Sequence, residues 1–63
     1  MNMTQENISN IWNRLKSGEE FDGDYPPTIV VDDEAEQVMT IPFPEGGGIT
    51  VGRRDNDSDW YLI

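Results

Sequence analysis

The sequence predicts an α+β domain, with one N-terminal amphipathic helix packed on a four-stranded antiparallel meander sheet in the order α-β-β-β-β. Three observations predict it. Apolar residues near the start recur at helical spacing. Four later runs are short and rich in β-formers, and each separator between them is a brief turn-like segment. Residues 1–63 read as a single small domain, without internal repeat or low-complexity tract.

The helix spans residues 4–17, TQENISNIWNRLKS. Ile8, Ile11, Trp12 and Leu15 fall at i, i+3, i+4 and i+7, which places them on one stripe. Thr4 supplies an N-cap oxygen. Glu6 in the first turn and Arg14 and Lys16 in the last complement the helix dipole. Gly18 follows where a left-handed residue closes a helix.

The next stretch, EEFDGDYPP, carries two prolines and a glycine and reads as a connector, with Phe21 and Tyr25 expected to fold back onto the core. The strands are TIVV (28–31), QVMTIPF (37–43), GITVGR (48–53) and WYLI (60–63), separated by DDEAE, PEGG and RDNDSD. Pro42 lies near a strand end, where a missing N–H is tolerated. Alternation directs Ile29, Val31, Met39, Ile41, Phe43, Ile49 and Val51 to the helix side, with Trp60 and Leu62 or their neighbours completing that face. Val30, Val38, Thr40, Thr50 and Tyr61 take the other face, which is mixed and should be only partly covered.

Composition removes whole classes of function. Sixty-three residues lie near the lower limit for folding unaided. There is no cysteine to form a disulfide, bind zinc or attack a substrate, and no histidine to act as general base or metal ligand. No apolar run approaches the roughly 20 residues that span a bilayer, and the opening MNMTQENISN lacks a basic and an apolar region of signal-peptide type. A soluble cytoplasmic protein is expected.

Charge is the outstanding property. Thirteen acidic residues face four basic ones, a net of −9. Phosphates repel such a surface, so direct binding to nucleic acid or anionic membrane is not expected and a partner should be basic. The carboxylates fall in three groups: Glu19, Glu20, Asp22 and Asp24; then Asp32, Asp33, Glu34 and Glu36; then Asp55, Asp57 and Asp59. In a meander the first and third turns share one end of the sheet. The second and third groups should therefore meet there, on the order of 10 Å apart given strands about 4.8 Å apart. Only Arg53 and Arg54 lie nearby to offset them, and the first group should sit at the opposite end, near Glu45.

Asp55, Asp57 and Asp59 match the opening of a calcium loop, but Trp60 stands where its glycine belongs and strands replace the flanking helices. No metal or other cofactor is expected. Paired carboxylates could run glycoside hydrolysis only in a sugar-holding cleft, for which this chain has little room. Ser9, Ser17 and Ser58 have no histidine to activate them. The glycines at 46–48 lack the following Lys and Ser or Thr of a phosphate loop. An enzyme is not expected.

Surface charge used as such remains. A duplex displays one negative charge per roughly 1.7 Å of axis, and a rigid ridge of carboxylates can present a similar field to a basic groove. Asp32, Asp33, Glu34, Glu36, Asp55, Asp57 and Asp59 are the candidate partner-binding residues. The competing reading of these clusters is a solvated surface that maintains solubility.

In size, charge, the clustered DDEAE and DNDSD, and α+β pattern, the chain resembles the small acidic inhibitors that phages and mobile elements encode against host defences, anti-CRISPR proteins and anti-restriction DNA mimics among them. These share no single fold or motif, so no family residue is carried over. The resemblance implies an inhibitor in the host cell cytoplasm that occupies a nucleic-acid-binding complex and blocks access of DNA. The alternative is a small structural or regulatory module acting through an exposed sheet face or edge strand, as a monomer or homodimer.

Overall fold

The computed structural model describes residues 3–63. Helix α1 runs Gln5–Lys16, followed by β1 (Thr28–Asp33), β2 (Glu36–Pro42), β3 (Gly48–Arg53) and β4 (Tyr61–Leu62). The strands form one antiparallel sheet in the order β1-β2-β3-β4, and α1 lies across one face. The expected α+β architecture is the observed one.

Both ends of α1 are closed by its own residues. Thr4 Oγ1 accepts from the Asn7 N–H at 3.1 Å. At the other end Gly18 adopts φ +81°, where a Cβ would be strained. This lets the Gly18 N–H donate to the Leu15 carbonyl at 3.1 Å and the Glu19 N–H to the Arg14 carbonyl at 3.0 Å, a Schellman closure.

The stripe of α1 meets the sheet through Ile8 and Trp12, packed with Met39, Ile41, Val51 and Trp60. The Trp12 and Trp60 rings stand 5.5 Å apart, tilted by 57°. Burying an apolar side chain of this kind stabilises by about 1.5–3 kcal/mol, so six of them are a large share of what a domain this small can gather.

Two expectations about faces are corrected. Ile29 pairs with Met39, but the next paired residue is Val31, opposite Val38. Val30 is thus an extra residue, a β-bulge in an edge strand, which also makes that edge a poor template for pairing. Directly opposed residues share a face, so the bulge moves Val31 to the open side with Val38. It carries Asp32, opposite Gln37, to the helix side. Tyr25, expected on the core, is 79% exposed, whereas Phe21 is half-buried. Phe21 is held instead by the Arg14 guanidinium, 4.2 Å from its ring centroid.

On the open face Gly52 pairs with Tyr61, and a Cβ there would come within 2.8 Å of Ile63 Cδ1 and 3.4 Å of Tyr61 Cζ. The bare glycine lets the last residues lie flat across β3. The Ile63 N–H then donates to the Thr50 carbonyl at 3.0 Å.

Candidate functional site

The β1–β2 turn and the β3–β4 loop lie at the same end of the sheet, as the meander requires. A shallow groove between them is lined by Ala35, Glu36, Arg54, Ser58, Asp59 and Tyr61, which joins the second and third acidic groups. Asp33, Glu34, Glu36, Asp55, Asp57 and Asp59 are exposed. Asp33 stands directly opposite Glu36. Like charges in that relation work against the sheet. Among the described residues no three carboxylates come together closely enough to hold a metal ion.

Two of the seven candidates have structural partners. Asp32, turned to the helix side by the bulge, forms an ion pair with Lys16 of α1. Asp55 organises the β3–β4 loop. Its Oδ1 accepts from the Asp57 N–H at 3.0 Å and the Ser58 hydroxyl at 2.9 Å, while its carbonyl accepts from the Ser58 N–H at 3.2 Å. The two bonds to the carboxylate, that from the Ser58 hydroxyl foremost and then that from the Asp57 N–H, hold the Asp55 carboxyl below the usual carboxylate range.

The basic residues are mostly engaged elsewhere. Arg14 forks onto Glu19 with Nε and Nη2 each 2.9 Å from a carboxylate oxygen, which lowers the Glu19 pKa and raises that of Arg14. Lys16 is paired with Asp32.

Arg53, expected beside Arg54 to offset the acidic groups, is not on the exposed rim that they form at this end of the sheet. It continues the inward alternation of Ile49 and Val51 and is buried opposite Gln37. Its guanidinium lies 4.2 Å from the Trp60 ring centroid and 5.8 Å from that of Trp12. Arg53 Nε donates to Gln37 Oε1 at 2.5 Å and Nη2 to Asn56 Oδ1 at 3.3 Å, and Gln37 Nε2 donates to the same Asn56 oxygen at 2.9 Å. Burial lowers the Arg53 pKa, and the negative field of Asp55 and Asp57 partly opposes this. Arginine stays protonated regardless. Arg54 is left as the cation on the rim itself, its charge helping to lower the Asp55 pKa.

A second support joins α1 to the residue that precedes β4. The Gln5 side chain grips the Trp60 backbone: Oε1 accepts from the Trp60 N–H at 2.6 Å and Nε2 donates to its carbonyl at 2.7 Å. Trp60 Nε1 donates to Ser9 Oγ at 3.0 Å. This fixes where the β3–β4 loop ends, and with it the loop's aspartates. Sequence reasoning passed over Gln5, Gln37 and Asn56. Gln5 does lie on the stripe of Ile8 and Trp12, and Arg53 on the inward alternation of β3; that periodicity was the available signal.

The molecule is thus a helix-on-sheet α+β domain with an acidic rim at one end. Comparison with known protein families, curated proteins and solved structures finds no match. Among the described residues no helix is long and apolar enough to cross a membrane.

Proposed function

We propose that this chain is a non-enzymatic acidic binding protein. Its rim of Asp33, Glu34, Glu36, Asp57 and Asp59 enters the basic groove of a nucleic-acid-binding complex in the cytoplasm and blocks access of DNA. The resemblance to anti-CRISPR and anti-restriction inhibitors points to a host defence complex as that target. The distribution of the few cations carries the reading. Arg14 serves Glu19, Lys16 serves Asp32 and Arg53 serves the core, which among the described residues leaves Arg54 as the single cation beside the rim carboxylates, while Asp33 faces Glu36 across the hairpin. Charge kept at some cost to the fold fits use by a partner better than use by the fold itself.

The test immobilises the wild-type chain and a variant with Asp33→Asn, Glu34→Gln, Glu36→Gln, Asp57→Asn and Asp59→Asn, then exposes both to host lysate. Wild type should retain a nucleic-acid-binding complex that duplex DNA displaces, as does salt near 1 M, where the Debye length is about 3 Å. Retention of the same proteins by the neutralised variant overturns the proposal.

A second reading has its own observation. Tyr61, Leu62 and Ile63, on and beside the short edge strand β4, are more than half exposed. They suit a module that pairs through this edge with a partner strand or a second copy. A concentration-dependent dimer in sedimentation, dissociated by Leu62→Lys, would favour it.

A further inference from the structure

At the end of the sheet opposite the rim, the connector between α1 and β1 leaves an open groove of about 470 Å³. Ile11, Phe21, Tyr25, Pro27, Phe43 and Pro44 belong to its apolar lining. Phe21 and Phe43 are half-buried, while Tyr25 stands almost free in solvent. An aromatic ring left in water beside an apolar groove has a large area still to bury on docking.

The charge around this groove is one-sided. Asp22 and Asp24 belong to its lining, and Glu20 and Glu45 are exposed on the adjoining chain. Arg14 also reaches the lining, but its guanidinium is forked onto Glu19 and laid over Phe21. The groove is therefore apolar within and acidic at its walls.

We infer that this groove docks a basic, extended polypeptide segment. One apolar side chain of the segment seats among Phe21, Phe43 and Pro44. Flanking Lys or Arg side chains pair with Asp22 and Asp24 and lay their stems along Tyr25. Charge complementarity selects this occupant. A second copy of the chain would bring its own net −9 to the contact, and nucleic acid or an anionic bilayer would be repelled. The groove is separate from the rim, so the inference stands or falls independently of the rim's role.

The experiment titrates the isotopically labelled full chain with the peptide acetyl-Lys-Arg-Leu-Lys-Arg-amide and follows backbone amide shifts. Saturable shifts are expected at residues 21–25, 43 and 45. Replacing the peptide's leucine by glycine should weaken binding roughly tenfold, the worth of one buried aliphatic side chain. Tyr25→Ala and the pair Asp22→Asn with Asp24→Asn should each weaken it several-fold. All three substitutions are at exposed positions, so an unchanged melting temperature shows that the fold is kept. The inference is overturned by no shifts at millimolar peptide, by shifts confined to residues 33–36 and 54–59, or by equal binding of an acidic peptide carrying the same leucine. It is also overturned if these signals respond to protein concentration without peptide, which would mean that a second copy fills the groove.

Discussion

The Arg53 guanidinium lies 4.2 Å from the centroid of the Trp60 ring, buried beneath the acidic rim and forming no direct ion pair with it. Amide oxygens of Gln37 and Asn56 and two indole faces solvate it, with Asp55 and Asp57 acting through space. A planar, weakly hydrated cation suits that cage and a compact ammonium does not.

Arg53→Lys should therefore destabilise the domain although it keeps the charge. Arg53→Met strands the buried Gln37 Oε1 and should cost about 1–3 kcal/mol. Adding Gln37→Leu should recover part of that loss, because the buried acceptor is then gone and the exposed Asn56 can turn to water. Urea unfolding of the three variants checks this, and an Arg53→Met variant as stable as wild type would show that the cage contributes nothing.

Gln5→Ala should cost roughly 1–3 kcal/mol, since two hydrogen bonds to the Trp60 backbone go with it. Gln5→Glu is more diagnostic. A carboxylate still accepts from the Trp60 N–H but faces the Trp60 carbonyl without a proton to donate. The variant should be less stable than wild type at pH 7 and regain stability as acid protonates the new side chain. Thermal melts across pH read this directly; a deficit independent of pH would contradict the two-way grip.

Neighbouring aspartates on the β1–β2 hairpin should respond with opposite signs. Asp33→Asn relieves its opposition to Glu36 and should raise stability by a few tenths to about 1 kcal/mol. Asp32→Asn gives up the Lys16 pair and should lower it, by no more than about 1 kcal/mol for so exposed a contact. Both differences should shrink in 1 M NaCl. Two stabilising substitutions would mean that the Lys16 pair has no weight in solution.

Acid should weaken the β3–β4 loop. The folded-state pKa of Asp55 is depressed, so its contribution is present above the unfolded value near 4 and is lost as pH falls through the folded value. Glu19, held down by Arg14, behaves the same way. Wild type should melt above Asp55→Asn at pH 7, and the gap should close below about pH 4. A gap constant into strong acid would show that the charge of Asp55 is not what holds its turn.

By itself, the sequence determined the element order, the capped helix and the shared end of the two acidic turns. Each is set locally: a stripe at helical spacing, Thr4 and Gly18 at the helix ends, and loops too short for anything but a meander. The tertiary structure alone decided which carboxylates are free. One extra residue, Val30, reverses the faces of Val31 and Asp32 and delivers Asp32 to Lys16. No local pattern marked that bulge, because TIVV alternates equally well either way. Likewise Arg53 looked like rim charge beside Arg54. It is buried because Trp12 and Trp60, forty-eight residues apart in the chain, close over the inward position it occupies. Burial of a charge depends on what the fold brings around it, and those contacts are long-range.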